Sequence, residues 1–502
     1  MNASEEIRPT QLNRILASSG RYLTPSLAAA MGVFLITVVA LFMPPYIGMA
    51  DNGDYFRVLY SNGLSQITPD YGSQYLGYFI KQFGILHYYN EFEDGFFSSQ
   101  SLFIQLALAL NKVFYSSQLF DVRFQAAILL VLHTAAVYLF VESLTWRVPR
   151  KYGYPIAALA VFIFADTAYT AYFSSFYSEG IVLIMLLFLL SAGLLIYRQR
   201  YPDWALIALF AISSLILTTS KQQNAPVGLI VAAAGVGLLF LRKAKSFRAA
   251  VATCLAAVML AGIGTYVLIP QEFVNINKYH AMTRGVLLSA EDPEETLGQF
   301  GIDKQYAILK DTIYYAPYTT VDVNSPLLES EFYSRYGFGS ILLYYAAHPG
   351  QLNDMLALAA KNAFTIRPEA MGNYEKATGR SFGEQTRFFT GYSLLKQALA
   401  PKTFGFIVIW MILIVGLYLP SFWSAFKARD ARGALRLPLL LMLILIGLSG
   451  ILVSIIGAGD ADLAKHEFLF TAAFDLVTFV VIADLVRRKL WQNDSAVEEA
   501  GG

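Results

Sequence analysis

The run DNGDYFR at positions 51–57 holds the residue types best suited to chemistry. Asp51 and Asp54 flank Asn52 and Gly53, and Arg57 follows Asp54 at a spacing of three. In a helix starting there, Asp54 and Arg57 share a face. A carboxylate so placed takes a proton from an acceptor hydroxyl or orients it, as general-base chemistry requires. The same residues also suit an Asn-Gly turn closed by a capping aspartate. Spacing alone decides neither that question nor which of Asp51 and Asp54 would be the base.

Cations come next. Lys221 lies in SKQQNAP at 220–226, and Lys465 with His466 in DADLAKHEFLF at 460–470. A lysine there holds a phosphate as a point charge; alternatively Lys221 snorkels from a helix end, and Lys465 joins Asp460 or Asp462 in a local salt-bridged turn. In SFYSEG at 175–180, Glu179 and Tyr177 suit hydrogen bonds to sugar hydroxyls, or a plain turn. Asp166 and Tyr169 fall in an apolar run, where a carboxylate is a functional candidate. His133, in another, reads as a packing residue. Arg284, Arg367 and His280 are candidates for acceptor or phosphate contact. Asp51 and Asp54 together could hold magnesium, but no set of metal ligands is expected and no cofactor is called for. HExxH, Walker A and GxSxG motifs do not occur.

The elements that must position these residues are membrane helices. Of 502 residues, 56% are apolar and 15% charged, against about 25% charged in soluble domains; mean hydropathy is +0.49. The net charge of +1 gives no basic stripe for nucleic acid, and the single Cys254 supports neither a disulfide framework nor a thiolate metal site. Apolar runs fall near 25–47, 124–145, 154–173, 180–197, 204–219, 226–241, 249–269, 404–423, 437–457 and 466–486. The first lacks a small-residue cleavage pattern and reads as a retained span.

Basic residues cluster in alternate loops: Arg147, Arg150 and Lys151; Arg198 and Arg200; Arg242, Lys243, Lys245 and Arg248; Lys427, Arg429, Arg432 and Arg436; and after the last run. Positive-inside topology then puts both termini in the cytoplasm. The expected division is a cytoplasmic segment at 1–24 and a transmembrane module at 25–269 with a first outer loop at 48–123. A second outer loop follows at 270–403, then C-terminal helices at 404–490 and a cytoplasmic tail at 491–502. Helical spacing is expected at 101–115, as a membrane-surface helix, and at 350–364.

A first span, a long outer loop opening on an acidic motif and containing a surface helix, then close hairpins, resembles the GT-C superfamily of membrane glycosyltransferases. NGDYFR, SFYSEG, SKQQNAP, NKYHAMTRGVLL at 277–288 and DADLAKHEFLF look similar to the WsfD-like bacterial hexose transferases of surface glycan assembly. The resemblance implies an all-α polytopic fold, a GT-C-like bundle of about ten transmembrane helices in the bacterial cell membrane. It further implies inverting hexose transfer on the outer face, from a polyprenyl-phosphate donor to a glycan or lipid-linked acceptor. Asp54 or Asp51 would be the base, and Lys465, His466, Lys221 and Arg57 the phosphate ligands. Two rival functions share most of these features: a lipid-linked glycan flippase, and a glycan polymerase or ligase using a lipid-diphosphate donor.

Overall fold

The computed structural model describes residues 23–68, 70–87, 98–316 and 320–488. Except for Leu23 and Thr24, the expected N-terminal segment and C-terminal tail lie outside these residues.

Thr24 opens α1 (Pro25–Phe42): its hydroxyl accepts from the Leu27 N–H at 3.2 Å, and proline takes the first helical position. The chain then leaves the bundle through β1 (Ile47–Met49), α2 (Tyr55–Ser61), β2 (Leu64–Ser65), β3 (Gln82–Ile85), α3 (Gln100–Phe114) and β4 (Leu119–Asp121). It returns as α4 (Arg123–Thr145) and α5 (Arg150–Phe164), bends by 52° into Thr167–Ser174, and runs on as α6 (Glu179–Tyr197), α7 (Asp203–Thr219), α8 (Gln222–Phe240) and α9 (Lys245–Val267). The second excursion contains α10 (Gln271–His280), α11 (Phe338–Ala347), α12 (Pro349–Asn362), β5 (Met371–Tyr374) and α13 (Gly391–Leu399). The bundle closes with α14 (Phe404–Lys427), α15 (Gly433–Ala458), the short α16 (Leu463–His466) and α17 (Phe468–Arg487).

Among the described residues eight helices are long and apolar enough to cross a membrane, nine if α5 and its bent continuation form one span. The tenth apolar run is α7, whose 17 residues reach roughly 26 Å at about 1.5 Å per residue. The chain is an all-α polytopic membrane protein. Its only strands among the described residues form two small antiparallel sheets, β1–β5 and β2–β3–β4. The first sheet, with Ile47 opposite Tyr374, joins the two excursions to each other.

Helices sort by how much apolar surface they hide. α6, with the second-highest hydropathy among the spans, is 94% buried and packs on α4, α7, α15 and α17. α9 and α14 are only 22% buried and leave apolar sides to the surroundings, as lipid-facing helices do. α3 has the expected two-sided character: Ile104, Ala107 and Leu108 are buried, while Leu102, Val113 and Phe114 are exposed.

The bend between α5 and Thr167–Ser174 uses two polar residues from the apolar runs. Asp166 Oδ1 accepts from the Ala168 N–H at 2.9 Å and Oδ2 from the Ser393 N–H at 2.9 Å. His133 Nε2 donates to the Phe164 carbonyl at 2.8 Å. Each satisfies a backbone group at the break or ties it to a neighbour, which a broken helix inside a bundle requires. Asp166 therefore holds the fold together, and His133 is the packing residue it was read as.

Contacts define two ends of the bundle. One gathers Ser26–Glu142, Arg200–Glu142, Arg242 and Arg432 on Asp203, and Arg436 on Asp484. The other gathers residues 51–57, 177–179, 220–223, 284 and 460–466, and both long excursions lie there.

Candidate functional site

At the exit of α1 the chain must turn sharply, and Asp51 makes the turn. Its Oδ1 accepts from the Gly53 N–H at 2.7 Å and the Tyr55 N–H at 3.2 Å, and Oδ2 accepts from Gln66 Nε2 at 3.4 Å. Gly53 supplies the positive φ of +104° that the turn demands. Asp51 is buried, and burial pushes its carboxyl above the usual range despite those bonds. Asp54 makes no capping bond. The two readings of DNGD are thus divided between two aspartates: Asp51 closes the turn, and Asp54 faces a cavity.

Asp54 sits between two cations. Lys465 Nζ bonds to its Oδ2, and Arg57 Nη1 to its Oδ1 at 3.1 Å. Burial alone would raise the Asp54 pKa, but Lys465 and Arg57 outweigh it and hold the carboxyl far below the usual range. Lys465 is almost fully buried. Burial would lower its pKa, yet Asp54 and then Asp462 hold it above the ordinary lysine value. Its Nζ also lies 4.3 Å from the Tyr177 ring centroid, a cation–π distance. Arg57 donates to the Tyr315 hydroxyl at 2.6 Å and packs on Phe273, 4.9 Å from its centroid.

Asn52 fastens the two ends of the chain together. Its Nδ2 donates to Asp462 Oδ2 at 2.7 Å, its N–H donates to the Tyr177 hydroxyl at 2.9 Å, and its Oδ1 accepts from that hydroxyl. On the far wall Lys221 pairs with Glu179 at 3.1 Å. Gln223 donates to the His466 carbonyl at 2.7 Å and to Ser454 Oγ at 2.8 Å, and its Oε1 lies 3.1 Å from His466 Nδ1. Burial, then the charges of Lys221 and Lys465, push His466 well below the usual histidine pKa, so it is a neutral hydrogen-bonding group at pH 7.

These walls enclose a cavity of about 360 Å³. Its polar lining includes three cations (Arg57, Lys221 and Lys465), two carboxylates (Asp54 and Glu179), and Tyr177 and His466. Its apolar lining comes from Ala225 and Pro226 of α8, Tyr266 of α9, Phe273 of α10, Phe338 of α11, and Leu452, Val453 and Ile456 of α15. Tyr266 and Leu452 are themselves exposed on the flank of the bundle. The arrangement suits a ligand with an anionic head and an apolar tail.

Seven sequence candidates converge here: Asp54, Arg57, Tyr177, Glu179, Lys221, Lys465 and His466. Four do not line the cavity, and for these the structure corrects the expectation. Asp51 caps the turn. Asp166 serves the helix break. Arg284 is fully engaged, with Nε and Nη2 on Asp460 at 2.6 and 2.9 Å and Nη1 on Asp311 at 2.6 Å. Arg367 donates to the Thr386 carbonyl. Of the weaker candidates, His280 accepts from the Tyr314 N–H at 2.9 Å, and Tyr169 donates to Asp475 at 2.5 Å. Sequence reasoning passed over Asn52, Gln223, Gln100 and Asn277. They are neutral amides; Asn52, Gln223 and Asn277 lay inside motifs already noted, and Gln100 just before the expected surface helix. Among the described residues no three His, Cys, Asp or Glu side chains converge as a metal site.

Comparison with known proteins adds the family. A family model described as the YfdI N-terminal transmembrane domain matches residues 11–501. No curated protein matches the chain. Since the matched region takes in the bundle, both excursions and every wall of the cavity, the chain belongs to the family of the YfdI N-terminal transmembrane domain.

Proposed function

We propose that this chain is an inverting membrane glycosyltransferase with its cavity on the non-cytoplasmic face, both termini being cytoplasmic. The carrying observation is a carboxylate, Asp54, held between Lys465 and Arg57 in a cavity whose apolar lining comes from membrane helices and from α10 and α11 of the second excursion. A polyprenyl-phosphate hexose matches both kinds of lining. Its tail lies along Tyr266, Phe273 and Leu452, and its phosphate meets Lys465, Arg57 and Lys221.

The reaction follows from these positions. The acceptor hydroxyl oxygen, on a glycan or lipid-linked acceptor, attacks the anomeric carbon from the face opposite the phosphate. The carbon–oxygen bond to phosphate breaks, polyprenyl phosphate leaves with the electron pair, and the acceptor proton passes to Asp54. Lys465 depresses the basicity of Asp54. A bound phosphate competes for Lys465, so the carboxylate regains proton affinity when the donor is in place. The same cations stabilise the charge that develops on the leaving phosphate.

The test is transfer from a polyprenyl-phosphate hexose by the protein reconstituted in vesicles. The Asp54→Asn variant is expected to lose roughly 10²- to 10⁴-fold in kcat while still unfolding in one cooperative transition, at a lower temperature than wild type because Lys465 loses its main counter-charge. Full transfer by a folded Asp54→Asn variant would sink the assignment. Movement of a lipid-linked glycan across sealed vesicles, with its linkage unchanged, would replace this reading by the flippase.

A further inference from the structure

The cavity accounts for a donor, but a transferase needs a second seat for the acceptor. Beside Asp54 and outside the cavity stand two tyrosines. Tyr71 and Tyr75 have ring centroids 5.6 Å apart with planes inclined by 33°, and each is nearly half exposed (47% and 44%). They lie directly over Gly53: a side-chain carbon there would stand 3.4 Å from the Tyr71 hydroxyl and 3.6 Å from Tyr75 Cε2. The Leu76 N–H donates to the Asp51 carbonyl at 2.8 Å, which fixes the tyrosine segment to the loop that carries Asp54. Burial first, then the charges of Asp51, Tyr75 and Asp54, raise the Tyr71 phenol to about 12.

An exposed pair of rings has two common uses on such a protein. One is the interfacial belt, where aromatic side chains sit at the headgroup level. This pair is instead held over the Asp51–Asp54 turn, a polar neighbour for which an acyl chain has no use. The other is stacking on a sugar, whose C–H face is apolar and positively polarised and so matches the negative face of a ring. There the neighbouring carboxylate is an asset, because it accepts from the hydroxyls at the sugar's edge.

We infer that Tyr71 and Tyr75 form an acceptor subsite, a platform on which a pyranose ring of a glycan stacks with one hydroxyl turned to Asp54. The inference rests on the glycosyltransfer reading and adds the acceptor's chemical class and place.

Two measurements test it. In the vesicle assay the Tyr71→Ala, Tyr75→Ala variant is expected to raise the acceptor KM by about ten-fold or more with the donor KM unmoved. An unmoved acceptor KM overturns the subsite. The second needs no turnover: saturation-transfer NMR on the detergent-solubilised protein with tetrasaccharides of glucose, N-acetylglucosamine and rhamnose. Saturation of pyranose protons by the wild type, lost in the double alanine variant and retained in Tyr71→Phe, Tyr75→Phe, supports the platform. Equal signals from wild type and alanine variant, or none from wild type with any probe, overturn it. A wild type that binds these sugars through the tyrosines but transfers no hexose leaves the platform standing and removes the transferase reading, so the two failures are distinct.

Discussion

Asp51 and Asp54 are chemically identical and three residues apart, yet their surroundings give them different work. What separates them is the backbone of Gly53, whose positive φ folds two N–H groups onto Asp51 and leaves Asp54 pointing to Lys465. No spacing rule contains that information, because a capping bond depends on the dihedral angles of the residues it closes. Asp51→Ala is accordingly expected to cost stability, about 1 kcal/mol as for other lost caps, seen as a lower melting temperature in detergent. Its acceptor and donor KM values stay within two-fold. A loss of kcat as large as that of Asp54→Asn, with stability unchanged, would reverse the assignment. Next to the site lies Glu467, completely buried, with both carboxyl oxygens unpartnered. Burial raises its pKa to about 9, so the folded protein holds it protonated at neutral pH while the unfolded chain ionises near 4.5. A raised pKa stabilises the fold fully below the unfolded value, and that contribution disappears as pH climbs through the folded value. Between these limits the loss approaches roughly 1.4 kcal/mol per pH unit. Glu467→Gln removes the ionisation: its melting temperature is expected to match wild type near pH 4.5 and to exceed it clearly at pH 8. A variant equally or less stable than wild type at pH 8 contradicts a neutral Glu467.

At the scale of elements, the runs and their order were legible because a span must be long and apolar whatever its partners. All ten expected runs are helices, and α3 and α12 stand where helical spacing put them. The short strands and the bend after α5 were not legible. β1 has three residues and pairs across more than 300 positions with β5, so no local pattern announces it. The helical part of the second excursion is attached by a bond of the same long-range kind. Lys396 on α13 is buried and donates to Asp475 Oδ1 on α17 at 2.5 Å, while the Tyr169 hydroxyl donates to Oδ2 at 2.5 Å. Removing one member of a buried pair strands the other charge, at a cost of about 3–5 kcal/mol. Lys396→Met is expected to lower the melting temperature strongly, and Lys396→Met with Asp475→Leu to restore much of it. Additive losses in the double variant would show that the two groups are not coupled.

At the scale of the whole molecule, charge decides which end of the bundle faces the cytoplasm. The end opposite the cavity holds Arg200, Arg242, Arg432 and Arg436, and their partners Glu142, Asp203 and Asp484 neutralise only part of the basic residues in those short loops. Around the cavity Lys221, Lys465, Arg57 and Arg284 are each paired with a carboxylate. The positive-inside rule counts lysine and arginine in the short loops near the span ends, and on that count we propose that the cavity faces outward. Both termini share the opposite side, since α1 begins beside Glu142, where Ser26 bonds to its carboxylate at 2.8 Å, and α17 ends beyond Asp484. Cys254 is the one native thiol, so a Cys254→Ala background accepts single reporters cleanly. Ala377→Cys, exposed in the second excursion, is expected to react with a membrane-impermeant maleimide in intact cells. Ser246→Cys and Ala428→Cys, exposed at the other end, should react only after the membrane is permeabilised. The reverse pattern would turn the cavity toward the cytoplasm. The donor would then have to be drawn from the inner leaflet, and the proposed outer-face transfer would fall even if Asp54 proved indispensable.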